Sequence, residues 1–307
     1  MPTDEAPLRR TVEVPPVDLR RTIGRLRRGG GDPTTRLARD GLWRAMHTPD
    51  GPATLHVSTP LVDGLTTSVT AEAWGPGAVA ALDRVPALCG AGDRPEDFVA
   101  HHEIVATAVR GHVGRRLPAS GALVEILVPT IIEQKVTGEE ARRAYRALCW
   151  RYGEDAPGPV RLRLQPHPER LAELGYAAFH PLGIERRRAE LVLRVARRAD
   201  RIDGLLRGEP AAARRALEEL PGLGPWTSAA ATLFAFGDPD AVIVGDFWFP
   251  HLVVNALSGR RRGSDAEMLE ILAPYVGQRA RAQLVLVGLG GVPRRAPRRR
   301  RRDFAHT

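Results

Sequence analysis

Between residues 41 and 74 apolar and polar positions alternate in short runs; beyond about residue 90 the apolar residues recur every three or four positions. The runs "GLWRAMH" (41–47), "PATLHVS" (52–58) and "TTSVTAEAW" (66–74) have strand length and partial two-residue alternation. Asp50-Gly51, between the first two, is a pair that closes hairpins. "GPGAVAALDRV" (75–85) reads as a helix and "GAGDRPEDF" (90–98) as a boundary. In "RPEDFVAHHEIVATAVRGH" (94–112), Phe98, Val99, Ile104, Val105 and Val109 keep helical spacing. "GALVEILVPTIIEQKVTGEEARRAYRALCWRYG" (121–153) predicts a helix bent at Pro129 and then a second one. The helical pattern continues in "HPERLAEL", "GIERRRAELVLRVARRAD", "EPAAARRALEEL", "PWTSAAATLFAFG" and "DAEMLEILAPYV". The predicted fold is α+β. Residues 1–35 read as irregular, 36–92 as a small antiparallel β domain, 93–292 as a helical domain and 293–307 as a tail.

Composition adds bounds to this picture. With 307 residues, 43% hydrophobic and 26% charged, the chain has the make-up of a globular protein able to bury real cores. No apolar run approaches the ~18 residues that span a bilayer. The N-terminal "MPTDEAPLRRTVEVPPVDLRR" lacks an apolar signal region, so the expected location is the cytoplasm; the resemblance given below adds association with the nucleoid. Two cysteines, Cys89 and Cys149, are too few for a thiolate cluster and read as buried or idle thiols. The net charge is +9, of which the fourteen residues from Arg294 to Thr307, with seven Arg and one Asp, carry +6. The remainder is only mildly basic. A basic tail of this kind attracts phosphates without reading sequence. Lys135 is the single lysine among 45 basic residues, which restricts any chemistry that needs an amine. His101-His102-Glu103 looks metal-like, but adjacent histidines on a helix point apart, so a surface patch is expected.

Candidate chemistry gathers in "LEELPGLGPWTSAAATLFAFGDPDAVIVGDFWFPHLV" (217–253). Pro221 stops one helix, Gly222 and Gly224 allow a tight turn, and Pro225 suits the first turn of the next helix. The hairpin at 220–226 thus offers backbone N–H groups at a helix N-terminus, an anion site that a DNA phosphate fits. On the residues alone it is equally an ordinary turn between two helices. Twenty residues past Trp226, Asp246 closes the apolar run "AVIVG" and precedes a helical pattern. It is either a simple helix cap or a carboxylate held at a helix N-terminus for use.

Taken together, "LPGLGPWTSAAA" and "DAVIVGDFWFPHLV" resemble the hairpin and the catalytic-Asp segment of the helix-hairpin-helix (HhH-GPD) DNA glycosylase superfamily. The "PGxGxWT" form, and a β domain ahead of the helices, resemble its alkylated-purine (3-methyladenine) branch. "HPERLAELGYAAFHPLGIERRRAELVLRVARRAD" resembles the helix pair that precedes the hairpin there, and the likeness spans about residues 36–290. The resemblance implies damaged double-stranded DNA as partner, a monomer, base flipping, and excision of the base by hydrolysis of its N-glycosidic bond to start base excision repair. Asp246 then stabilises an oxocarbenium-like sugar and assists water. Gly222, Gly224 and Thr227, with Ser228, grip phosphate. Trp226, Phe247 and Trp248 line the base pocket, where an electron-rich ring suits a cationic base. Gln134 and Lys135 fall at the turn that fills the gap left by the flipped base. No cofactor is required, and no metal beyond a monovalent cation on the Leu220 and Gly222 carbonyls. Where some members carry a Schiff-base lysine this chain has Trp226, which implies water as nucleophile and no lyase step. The sequence departs from the branch in the bulky "FWFPH", in Lys135 at the wedge, and in a late helix "GQRARAQLVLVGLGG" without an aromatic. Other lesions, 8-oxoguanine or a deaminated base, therefore stay open, as does a hairpin protein that binds DNA without catalysis.

Overall fold

The computed structural model describes residues 6–58, 65–287 and 289. Five antiparallel strands, β1 (Leu8–Val17), β2 (Thr35–Leu37), β3 (Gly41–Thr48), β4 (Gly51–Ser58) and β5 (Thr66–Trp74), form one sheet in the order β1-β5-β4-β3-β2. The three strands read from alternation are present within a residue or two. β1 is a correction, because its residues were read as irregular. Pro15 and Pro16 hid the pattern, since proline cannot donate to a ladder and is tolerated only at an edge. β1 is indeed an edge strand, and its register with β5 shifts between Glu13 and Val17, where the prolines lie.

Alternation in β3 and β4 is only partial because both faces of the sheet are covered. Ala53, Leu55 and Val57 face the main core with Leu42 and Met46. On the other face Trp43 stacks on His56 at 4.0 Å and on Trp74 at 5.4 Å, roofed by Leu162 and Leu164. Gly51 has φ +122° at the β3–β4 turn.

The helices are α1 (Leu19–Ile23), α2 (Ala78–Asp83), α3 (Val85–Leu88), α4 (Glu103–Arg110), α5 (Leu123–Ile132), α6 (Gly138–Tyr152), α7 (Pro168–Glu173) and α8 (Tyr176–Phe179). Then come α9 (Arg186–Ala196), α10 (Ala199–Asp203), α11 (Pro210–Glu218), α12 (Pro225–Ala235), α13 (Phe249–Ser258), α14 (Asp265–Ile271) and α15 (Arg279–Val287). α5 lies at the centre, with nine of its ten residues buried and Pro129 inside it. A capping box between Thr137 and Glu140 starts α6. The largest apolar cluster runs without a break from Val14, Leu55 and Val69 of the sheet into Leu127, Leu148, Val192 and Ala231 of the helices. A second cluster joins α4 to α13, α14 and α15 through Val105, Leu252, Val253, Met268 and Leu286. α4, early in the chain, thus packs with its last elements.

The helix expected from residue 94 starts only at Glu103. Residues 98–102 run extended around Tyr275 instead: the Phe98, His101 and His102 rings all touch its ring, and His102 Nδ1 lies 2.8 Å from its hydroxyl. The two histidines therefore lie just ahead of α4 and not on it; His101 and Glu103 are exposed, as a surface patch requires, and His102 is half-buried. Cys89 and Cys149 are buried free thiols, pushed up to about 12 and higher still by burial. No helix of the described residues is long and apolar enough to cross a membrane, and no metal-binding cluster occurs among them. The Arg-rich tail lies outside the described residues.

Candidate DNA interface and active site

α11 and α12 form the hairpin read from the sequence. Gly222 has φ +103°, and a Cβ there would meet Leu191 Cδ2 of α9 at 3.1 Å. Gly224 caps α12 with an ordinary extended backbone, and a Cβ there would meet nothing within 4 Å. One glycine is required by the turn; the other leaves open space in front of the helix. Among the described residues the Gly222, Gly224 and Trp226 N–H groups have no backbone acceptor, and all three sit at or before the first turn of α12.

The hydroxyls expected to join them do not. Thr227 is buried and accepts from Gln134 Nε2 at 2.9 Å. Ser228 is fully buried and donates to Glu218 Oε1 at 2.6 Å. Helical periodicity turns both inward, so they brace the hairpin instead of facing solvent. The Gln134 amide also donates to the Gly222 carbonyl at 3.1 Å, tying the α5–α6 turn to the hairpin. Gln134 thus has its amide committed within the protein, whereas Lys135 is exposed and is the sole non-glycine residue with positive φ (+56°) among the described residues. Such a backbone is uncommon for a long side chain and marks a turn held by its surroundings. The Leu220 carbonyl accepts from Leu223 N at 3.0 Å, and the Gly222 carbonyl faces the Gln134 donor. Each carbonyl oxygen thus accepts one hydrogen bond and keeps its second lone pair.

α9 braces both turns from one face. Arg188, Leu191 and Arg194 follow at three-residue intervals. Arg188 Nη1 donates to the Ile132 carbonyl at 2.7 Å, Leu191 lies under Gly222, and Arg194 Nη1 donates to the Pro221 carbonyl. The sequence reading missed this role, although the Arg-Leu-Arg spacing was its visible signal.

Asp246 stands where the segment 237–246 meets α13. Its Oδ1 accepts from Trp248 N at 2.7 Å and Phe249 N at 3.1 Å, the N-cap and first residue of α13, so from two positions ahead it caps the start of the helix. Its Oδ2 accepts from Trp226 Nε1 at 3.1 Å, joining the carboxylate to the hairpin. Both readings of this residue are therefore compatible: the cap fixes one oxygen and presents the other at the hairpin. The approach to Asp246 is pinned along its length. Asp238 pairs with Arg214. Asp240 takes Arg279 Nε at 2.8 Å and Nη2 at 2.5 Å. Burial acts to raise the Asp240 pKa, yet the Arg279 bonds outweigh it and hold the carboxyl below its ordinary value. Gln283 of α15 brackets Ile243, accepting from its N–H at 2.9 Å and donating to its carbonyl at 3.3 Å. Gly245 N donates to Asp265 Oδ1 at 3.0 Å. None of these anchors was read from the sequence; the "DPD" acids were its only trace.

Trp226 is half-buried, packed against the apolar cluster that includes Leu117, Leu233 and Ile243, and holds the carboxylate through its indole N–H. Phe247 and Trp248 are exposed, edge to face at 4.8 Å, beside the carboxylate. They form an aromatic ledge open to solvent.

No family model and no curated protein matches the chain. Solved structures do. A 3-methyladenine DNA glycosylase from Archaeoglobus fulgidus aligns over 91% of this chain and 97% of its own, with TM-score 0.73 and 16% identity. The MBOgg1 structure with a low-affinity DNA ligand aligns over 92% and 95%, with TM-score 0.71 and 16% identity. The Clostridium acetobutylicum 8-oxoguanine glycosylase/lyase bound to DNA with cytosine opposite 8-oxoguanine aligns over 92% and 96%, with TM-score 0.66 and 14% identity. The chain shares the α+β fold of these DNA glycosylases over nearly their whole length.

Proposed function

We propose that this protein is a DNA glycosylase that removes alkylated purines by hydrolysis and releases the base from duplex DNA. The observation that carries the reading is the bond from Trp226 Nε1, on the hairpin helix, to the free oxygen of the Asp246 cap. It ties the carboxylate to the helix whose N-terminal turn carries the backbone N–H donors that suit a phosphate, which supports the reading. Breaking an N-glycosidic bond builds positive charge on the sugar, and an anion fixed next to a phosphate anchor opposes that charge where it forms. Asp246 supports the oxocarbenium-like sugar and orients water toward C1′: the C1′–N bond breaks, its electron pair leaves with the cationic methylated base, which departs neutral, and the proton lost by the water passes by way of the carboxylate to solvent. The exposed Phe247 and Trp248 rings offer a stacking surface for an extruded base, and a cationic methylated purine gains most from such a surface. Lys135, at the turn tied to the hairpin by Gln134, stands ready to enter the gap or meet a phosphate.

Hydrolysis without strand cleavage follows from the residue at position 226. An amine is needed to form a Schiff base, and the hairpin helix supplies an indole. The test is release of free base from methylated duplex, with 8-oxoguanine and deaminated-base duplexes beside it. Free 3-methyladenine and 7-methylguanine with intact strands support the proposal. Release only from an 8-oxoguanine duplex would reassign the lesion, and nicked strands would overturn the monofunctional reading. DNA binding without release of any base would leave a non-catalytic hairpin protein.

A further inference from the structure

A cavity of about 50 Å³ whose lining does not include Asp246 lies between the 3-10 turn Gly24–Leu26, the end of α4 and α15. That is several times the space a single water needs. Its wall is unusual in charge, since Arg25, Arg115, Arg116 and Arg281 all line it together with His112. Two of the four are accounted for. Arg116 donates to the Pro16 carbonyl at 3.1 Å and the Asp93 carbonyl at 2.6 Å, with Glu96 at 3.8 Å. Arg281 pairs with Asp93 Oδ1 and bonds Gln278 Oε1 at 2.6 Å. The second oxygen of Asp93 is spent on Leu117 N at 2.8 Å. Both oxygens of Asp93 are thus engaged by groups other than Arg25 and Arg115.

Arg25 and Arg115 have no side-chain hydrogen bond or ion pair among the described residues, and Arg115 Nε and His112 Nδ1 are buried without an acceptor. Burial lowers the pKa of Arg25, the charges of Arg115 and Arg281 lower it further, and Asp93 offsets this only in part. Both arginines and His112 are half-buried, and the acids that act on them, Asp93 on Arg25 and Asp18 on Arg115, make no direct ion pair with them, so an anion in the cavity would meet guanidinium groups with free donors.

We propose that this cavity binds a small tetrahedral oxyanion of the phosphate class, held by Arg25 and Arg115 with His112 Nδ1 as a further donor. Guanidinium forks match phosphate oxygens two at a time, and the cavity has room for a five-atom ion. The site does not depend on the glycosylase reading. It shares Leu117 and Leu284 with the cluster that supports Trp226, but none of the groups proposed for catalysis lines it.

The experiment is calorimetric titration of the full chain with inorganic phosphate, in phosphate-free buffer at fixed ionic strength. A 5′-phosphorylated thymidine dinucleotide and its unphosphorylated form are run in parallel. Saturable binding of phosphate is expected, at least tenfold weaker in Arg25→Met and in Arg115→Met and unchanged in the exposed control Arg261→Met. Arg25→Lys, which keeps the charge and loses the fork, covers the case in which Arg25→Met does not fold. Competition by the phosphorylated dinucleotide alone assigns the anion to a nucleic-acid end; phosphate binding without that competition assigns it to the free ion. No saturable binding of either, or equal binding by the wild type and the Arg25 and Arg115 variants, overturns the site.

Discussion

Replacing Asp246 by Asn separates its two roles. Asparagine keeps an acceptor oxygen for Trp248 N and Phe249 N, and it caps helices as well as aspartate does. The cost falls on the other side, where an NH₂ group would face the Trp226 Nε1–H now 3.1 Å from Oδ2. Losing that bond and opposing two donors costs about 1–2 kcal/mol of stability. The catalytic cost is larger. A unit charge about 4 Å from the developing sugar cation, at the effective dielectric of a partly open site, is worth ~4 kcal/mol. That is about a thousandfold in rate. The assay is single-turnover release of methylated base, with DNA affinity measured by anisotropy and the fold by circular dichroism. A folded, DNA-binding Asp246→Asn protein that excises at the wild-type rate would refute the reasoning. Trp226→Phe removes the indole donor and leaves the carboxylate. It should slow excision about tenfold with little change in DNA affinity, the mark of a positioning residue.

The hairpin glycines should part company. Gly222→Ala meets both a φ of +103° and Leu191 at 3.1 Å, and should cost about 1–3 kcal/mol in chemical denaturation. Gly224→Ala should leave stability within about 0.5 kcal/mol yet weaken DNA binding, because its methyl enters the space left for phosphate; equal DNA affinity would place the phosphate elsewhere. Gln134→Ala strips the buried Thr227 hydroxyl and the Gly222 carbonyl of one donor, for about 1–2 kcal/mol, read as faster amide exchange at the start of α12. For His112, burial first and then Arg115, Arg25 and Arg21 hold the ring down at about 4. The unfolded chain takes up that proton near pH 6.5, so between these values it binds more protons and stability falls as pH falls. The ring is partly open to solvent, which limits the loss to about 1–2 kcal/mol. Urea unfolding of the wild type against His112→Asn at pH 7 and pH 5 should show it, and a ring titrating near 6.5 by NMR would contradict it.

Much was legible without coordinates where physics acts locally. Proline and glycine punctuate the hairpin whatever surrounds it, and alternation marks β3, β4 and β5 because a pleated strand shows two faces. Lys135 as the lone amine and the cap at Asp246 are likewise properties of the chain itself. What stayed hidden depends on partners far away in sequence. β1 became a strand because β5 offered it an edge. Residues 98–102 gave up helical geometry to wrap Tyr275, more than 170 positions later. Thr227 and Ser228 turned inward because Gln134 and Glu218 were waiting there. The anchors of Asp246 (Arg214, Asp265, Arg279 and Gln283) and the unpaired Arg25 and Arg115 acquire meaning only when separate segments converge. Periodicity and backbone limits are written residue by residue, whereas pairing, burial and the completion of a charge set are decided by contacts that only the closed fold creates.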